Sequence, residues 1–328
     1  MYMNRLVDDD WKSNILIKNE SVGHHGKNPK DRSVEELINF GVVVVDKESG
    51  PTSHQVSAYV KQILDVDKTG HSGTLDPKVT GVLPNATQNA TRLNEYLLNM
   101  GKEYVALMHL HNSILEEKVR NYLNNFVGTI TQMPPVKSAV KRRKRKREVY
   151  YLDVLEIKDN DVLFKVGVEA GTYIRTICHD CGRDLGIGAH MKELRRTKVA
   201  HYTEDEAHTL IDLNDAYKIY KENGIEKYLR NILKPAESIV ENLPKVWVKD
   251  SAVWYVAHGS PLAVPGVSKL HDFEQSAYVA IMTLKNELVA IGRASMNTKN
   301  IIKERKGIAV TIDKVLMDED YFPKMVKK

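Results

Sequence analysis

Gly70-His71-Ser72-Gly73-Thr74-Leu75-Asp76-Pro77, continued by Thr80-Gly81-Val82-Leu83-Pro84, is the stretch on which the reading of this chain turns. By composition residues 70–84 are a loop. Glycine permits backbone angles that other residues avoid. Pro77 fixes its own φ and pushes Asp76 toward an extended conformation. The outcome is one carboxylate on a stiffened turn, with His71 and two hydroxyls close by in sequence. An Asp-Pro in a glycine-rich loop is, taken alone, an ordinary turn.

Outward from this loop, Gly41-Val42-Val43-Val44-Val45-Asp46 is a buried strand by its β-branched run. Gly50-Pro51-Thr52-Ser53 then starts a helix, because a hydroxyl accepts from the orphan amides of a first turn. Val56, Val60, Ile63 and Leu64 give that helix one apolar face. Beyond the loop, 104–110 reads as a strand, and Glu116 to Val127 has helical spacing in Val119, Leu123 and Phe126. Val149 to Ile157 and Val162 to Glu169 read as strands around a turn at 159–161, and Tyr173 to Asp184 as a helix. The sequence around His190 and Leu194 also reads as helical. Composition shifts near Leu243-Pro244, after which short β-type runs separated by turn residues suggest a small barrel.

The chain has 328 residues, which suggests two domains, and a net charge of +5, a weak pointer to an anionic partner. No run reaches the roughly 20 apolar residues of a membrane span. Asp8-Asp9-Asp10 stands where a secretory leader needs an apolar core, and two cysteines build no disulfide framework, so a reducing compartment is expected. Cys178-His179-Asp180-Cys181 invites a zinc reading. One Cys-x-x-Cys without a second pair lacks four ligands, so free buried cysteines are expected and no metal is assigned.

Five segments together resemble the pseudouridine synthases of the bacterial tRNA pseudouridine synthase B and dyskerin type. They are the 70–77 string, Gly50-Pro51-Thr52-Ser53-His54, Lys102-Glu103-Tyr104, Gly171-Thr172-Tyr173-Ile174-Arg175-Thr176 and Leu194-Arg195-Arg196-Thr197. Residues 256–267 resemble the start of the RNA-binding barrel known as the PUA domain. The phrasing of 99–111 and 246–323 is closer to the archaeal and eukaryotic dyskerin branch. The resemblance implies an α+β catalytic domain over 36–243, with a mixed, largely antiparallel sheet. It also implies a PUA barrel over 244–328, and 1–35 is expected to be an extension that packs on it.

It further implies Asp76 as nucleophile, Arg175 as the cation that orients it, and Tyr104 stacking on the target base and handling the proton lost when the new bond forms. His71 would fill the space left by the flipped nucleotide or contact it, and Leu194 would close the pocket. No cofactor is needed. In the archaeal reading the enzyme works in the cytoplasm inside an H/ACA guide ribonucleoprotein, and in a eukaryote it would be nucleolar. Its partners would be a guide RNA, a target RNA, a small zinc-binding protein, a Gly-Arg-rich-type β-barrel protein and a kink-turn-binding ribosomal-like protein. A stand-alone tRNA T-loop synthase and a non-catalytic RNA-binding scaffold are the competing readings.

A cationic run and two departures from the family stand out; one departure is Lys47-Glu48, where Lys-Pro is common in the family. Lys141, Arg142, Arg143, Lys144, Arg145, Lys146 and Arg147 form one cationic run between two strand candidates. It reads as an RNA phosphate contact, with a nuclear address or a solvated loop as alternatives. Asn85-Ala86-Thr87-Gln88-Asn89 stands where the family has an apolar run, which puts the packing behind the loop in question. Asn85 and Asn89 also sit in sequon-shaped triplets, expected to carry no glycan.

Overall fold

A computed structural model describes residues 14–133 and 143–325 of the chain. Strand β1 (Ile15–Ile17) comes first, then helix α1 (Val34–Asn39) and strand β2 (Gly41–Lys47). The valines of β2 alternate between two cores. Val42 and Val44 face one apolar cluster, Val43 and Val45 the other. A strand buried on both faces needs a continuous apolar run, which is why no polar alternation shows in the sequence.

Helix α2 (Ser53–Ile63) follows, with Thr52 and Gln55 forming a reciprocal capping box. Val56, Val60 and Leu64 are buried against β2, while Ile63 is only half-buried. Then come β3 (Thr69–His71), β4 (Thr80–Thr87), α3 (Asn94–Leu98), β5 (Lys102–Leu110), α4 (Glu116–Asn124) and β6 (Gly128–Gln132). The chain continues through β7 (Arg145–Lys158), β8 (Asp161–Val168), α5 (Ile174–Asp184), β9 (Ala189–Val199), β10 (Tyr202–Thr203), α6 (Leu210–Asn223), α7 (Lys227–Ile232) and β11 (Leu233–Pro235).

Among the described residues these strands form one sheet in the order β11-β2-β4-β9-β5-β8-β7-β6, with β3 on β4 and β10 on β9. Every pairing in it is antiparallel except β4 with β9. That lone parallel contact brings Thr80 and Gly81 beside Arg195 and Arg196, so the last sequence motif runs alongside the first.

The C-terminal strands are β12 (Lys245–Val248), β13 (Leu262–Ala263), β14 (Val267–His271), β15 (Tyr278–Met282), β16 (Leu288–Ala294) and β17 (Ile308–Val315), with helix α8 (Asp250–Ala257) inserted. They form a second sheet ordered β1-β14-β12-β15-β16-β17-β13. The N-terminal strand therefore adds itself to the C-terminal sheet, Leu16 opposite Leu270. Trp247, Met282, Leu288 and Ile291 share one buried cluster with Val42, Leu97, Tyr202 and Leu243. The two sheets are joined by a common core, with no solvated hinge between them.

Four sequence expectations are corrected. Thr80 to Pro84 is strand rather than loop, because β2 and β9 flank it and bury Val82 and Leu83 completely. The stretch holding His190 and Leu194 is strand β9 rather than helix. Its Met, Lys, Glu and Arg side chains favour a helix, and pairing on both edges overrides that preference. Arg145, Lys146 and Arg147 of the cationic run belong to β7, paired with β6, rather than to a connecting loop. The polar 85–89 segment leaves no packing defect. Asn85 and Thr87 are completely buried and hydrogen-bonded, Thr87 Oγ1 donating to the Gly41 carbonyl. Lys141 and Arg142 lie outside the described residues.

Candidate active site

The loop from Ser72 to Val79 leaves β3 and enters β4 through a tight turn. Its amide at Val79 donates to the Asp76 carbonyl (2.9 Å), placing Pro77 at the second turn position, where its fixed φ is suited. Ser53 at the start of α2 grips the loop from one side. Its hydroxyl donates to the Leu75 carbonyl (3.1 Å) and accepts from the Leu75 amide (2.8 Å). Asp76 is left exposed one residue beyond this double contact.

Arg175, the second residue of α5, pairs with Asp76 through Nη2 and Oδ2. Both side chains are about half exposed (49% and 57%), so the pair adds little stability. The start of α5 is itself anchored from β6. Gln132 Nε2 donates to the Tyr173 carbonyl (3.1 Å), and the Tyr173 amide donates to Gln132 Oε1 (3.0 Å). A residue of the sheet edge thus sets where the arginine sits.

Two buried cations lie under the loop, and the sequence assigned a role to neither. Lys47 at the end of β2 donates to the carbonyls of Glu48 (2.8 Å), Pro77 (2.9 Å) and Val79 (2.9 Å). All three ammonium protons are used. Burial pushes its pKa down, assisted by Arg196, while the Asp76 charge pushes it up. Arg196 of β9 is completely buried. Its Nε donates to the Val82 carbonyl (2.8 Å) and its Nη2 to the Gly73 carbonyl (3.1 Å). It also hydrogen-bonds the Tyr104 side chain, and its burial lowers its pKa. The closeness is possible only with glycine opposite. A Cβ on Gly81 would stand 2.1 Å from the Arg196 carbonyl oxygen, and Gly81 has φ +106°.

Tyr104 in β5 lies directly opposite Arg196 in β9. Leu194, two residues back on β9, opposes Ala106 and packs, like Tyr104, at the margin of the adjacent apolar core. His71 sits at the end of β3, its ring edge-on to His54 (centroids 4.7 Å apart). Burial, helped by His54 and Arg196, pushes the His71 pKa down to about 4, so the ring is neutral at physiological pH. Asp76 and Arg175 therefore meet directly, Tyr104 is tied to the loop through Arg196, and His71 is tied to it through Thr74 (3.2 Å).

The remaining sequence candidates lie elsewhere. Cys178 and Cys181 are free and buried on one face of α5. Burial pushes the Cys181 thiol up to about 12, and His190 lies on β9 hydrogen-bonded to His111 (2.9 Å). Among the described residues no group of three or more His, Cys, Asp or Glu could hold a metal ion. Arg147 pairs with Glu169 (3.6 Å) beside Gly171. No helix among the described residues is long and apolar enough to cross a membrane.

A glycine-permitted loop carboxylate is thus paired with an arginine from a helix ninety-nine residues away, on a loop buttressed by buried cations. Comparison with known proteins supplies the family. Residues 61–174 match the family described as "TruB family pseudouridylate synthase (N terminal domain)", and residues 175–241 match "tRNA pseudouridylate synthase B C-terminal domain". Residues 244–316 match the PUA domain and residues 4–57 the DKCLD domain. The chain is 53% identical to the probable tRNA pseudouridine synthase B of Pyrococcus furiosus, over 99% of this chain and 97% of that protein. It is 50% identical to the protein of the same description from Archaeoglobus fulgidus, over 92% and 94%. The chain belongs to the TruB family of pseudouridine synthases. A solved Cbf5-Nop10-Gar1 complex contains a chain 53% identical to it, with a TM-score of 0.90 over 95% of this chain and 96% of that one. An H/ACA ribonucleoprotein bound to a substrate RNA containing 2′-deoxyuridine contains another, 51% identical with a TM-score of 0.89, over 95% and 96%.

Proposed function

We propose that this chain is the catalytic subunit of a guide-directed H/ACA ribonucleoprotein, converting uridine to pseudouridine in ribosomal RNA with Asp76 as nucleophile. The observation that carries the reading is the Arg175–Asp76 pair. It holds one exposed carboxylate on a loop that Lys47, Ser53 and Arg196 fix through its backbone.

Isomerisation breaks the N1–C1′ bond, turns the base and forms a C5–C1′ bond. One proton leaves C5 and one is gained at N1, so no electrons are exchanged with a cofactor. Asp76 attacks C1′ as the C1′–N1 bond breaks and the base leaves, and it departs again when C5 bonds to C1′; Arg175 holds its angle of attack, and Tyr104 takes part in moving the C5 proton. The uridine must leave its stack to reach Asp76. His71 contacts the space it vacates, and Leu194 lines the pocket for the base.

In this reading residues 36–243 form the catalytic domain, 244–328 the PUA domain, and 1–35 an extension laid on the latter. The cationic run from Lys141 to Arg147 contacts RNA phosphates. Such contacts position an RNA without reading its sequence, so target choice falls to a paired guide RNA. The protein partners are those of the related complexes, Nop10 and Gar1, together with a kink-turn-binding ribosomal-like protein, in an archaeal-type cytoplasm. The description of the relatives as tRNA pseudouridine synthase B favours the tRNA T-loop uridine as a further substrate.

Reconstitution with two guides that differ only in the pairing segment tests the guided role. The modified ribosomal position is expected to follow the guide. Modification of one unchanged position with both guides, or equally by the protein alone, would remove the guided role while leaving the synthase.

A further inference from the structure

Behind the loop a line of polar side chains runs to His71, and three of its members, Asn85, Ser57 and Thr74, have no part in the reaction scheme. Asn85 on β4 is the register partner of His71 on β3. Asn85 is completely buried and Ser57 of α2 is 7% exposed. Ser57 Oγ lies 2.7 Å from Asn85 Oδ1 and 3.1 Å from His71 Nδ1. His71 Nε2 lies 3.2 Å from Thr74 Oγ1, on the exposed part of the loop two residues before Asp76.

The proton inventory gives this line a direction. Asn85 Nδ2 is 2.7 Å from the Leu83 carbonyl, which only accepts, so the amide nitrogen must face Leu83 and the amide oxygen must face Ser57. That oxygen only accepts, so the Ser57 hydroxyl donates to it. A serine has one hydroxyl proton. The longer contact to the Ser53 carbonyl, 3.2 Å, competes for it from a poorer distance. With its proton committed, Ser57 Oγ is an acceptor toward His71, so Nδ1 carries the imidazole proton. A neutral imidazole has one such proton, so Nε2 is a bare acceptor and takes the Thr74 hydroxyl. Each group from Thr74 to Asn85 donates inward, ending on a buried backbone carbonyl.

We propose that Asn85 is a positioning residue for the reaction: through the Ser57 hydroxyl it fixes His71 as the Nδ1–H tautomer and so fixes which way the loop's hydrogen bonds run. The consequence reaches the loop surface. Thr74, having given its proton inward, offers only oxygen lone pairs outward, beside Asp76. That face complements a hydrogen-bond donor on the entering nucleotide, such as a ribose hydroxyl or the N3–H of a uracil. An apolar residue at 85 would free the Ser57 proton to turn toward His71, moving the imidazole proton to Nε2 and reversing the line. The buried asparagine thus does more than fill the space of the apolar residue usual in the family. The proposal rests on Asp76 being the catalytic centre only for its effect on turnover.

The test combines nitrogen-15 NMR of the imidazoles in the full-length protein, the His71 signals being assigned by their loss in His71→Gln, with steady-state assays on an RNA substrate. The wild type is expected to show the His71 proton on Nδ1 alone at neutral pH. Asn85→Val is expected to show Nε2–H His71, with kcat/KM, assayed well below its melting point, lowered roughly tenfold, the cost of a misdirected hydrogen bond. Ser57→Ala removes the relay without altering residue 85 and is expected to release the Nδ1–H preference with a similar loss, so the test stands if Asn85→Val folds poorly. A wild-type His71 protonated on Nε2, an unchanged tautomer in both variants, or a changed tautomer with unchanged kcat/KM would overturn the proposal. The spectroscopic arm needs no turnover. A failure of the synthase reading would show in the wild-type assay, and a failure of the relay in the imidazole spectrum.

Discussion

Arg196 donates through Nη2 to the carbonyl oxygen of Gly73 from a completely buried position beneath the catalytic loop. A guanidinium taken out of water is costly unless its donors are used. Here it links the Gly73 and Val82 carbonyls and the Tyr104 side chain, so one cation holds the loop and Tyr104 together. Arg196→Met is expected to leave both carbonyls unpaired and lower stability by about 3 kcal/mol. Turnover should fall further than the unfolded fraction explains, because the loop loses its floor. Denaturant unfolding alongside an assay well below the melting point checks this. An equally stable and active variant would contradict it.

His71 gives the fold a pH dependence whose sign is fixed. Its folded pKa is pushed down to about 4 from an ordinary 6.5. Between those values the unfolded chain takes up a proton that the folded chain refuses, so stability is lost as pH falls from about 6.5 toward 4. Replacing the histidine with glutamine removes that proton. The difference in melting temperature between wild type and His71→Gln should therefore change in favour of the variant across this window and stay constant above pH 7. Parallel pH profiles of the two proteins would contradict the neutral, buried state.

Trp247 ties the C-terminal sheet to the catalytic one. It lies in the cluster that also holds Val42, Leu97 and Tyr202, and its indole nitrogen donates to Asn286 Oδ1 (2.8 Å). Trp247→Ala is expected to cost about 3–5 kcal/mol. The loss should shift a single unfolding transition of the whole chain rather than split off a C-terminal one. Deleting 244–328 would bare the same apolar surface, so a truncated chain should aggregate, and it is a poor way to isolate the RNA-binding contribution. Two separate calorimetric transitions would contradict the shared core.

What was legible in the sequence follows the range of the interactions. The 70–77 string announces itself because glycine, proline and an acid act through their own backbone. The paired valines of β2 and the capped start of α2 are equally local. The partnership of Asp76 with Arg175 spans ninety-nine residues, and only the resemblance to a family joined them. Strand β9 was misread because its helix-favouring residues are overruled by neighbours on both edges. The burial of Lys47 and Arg196 was not legible because a cation in sequence reads as surface, and nothing local signals that backbone carbonyls will surround it. Asn85 looked like a flaw in an apolar run for the same reason. Its partners, Ser57 and His71, belong to other elements.

The central claim is that the Asp76 carboxylate is the nucleophile. Asp76→Asn keeps the size and the turn and removes the charge that the reaction needs. Tritium release from uridine labelled at C5, in RNA presented with its guide and partner proteins, measures the step directly. The account predicts no release above background from Asp76→Asn, with RNA affinity and melting temperature close to those of the wild type. Release near the wild-type rate would contradict it.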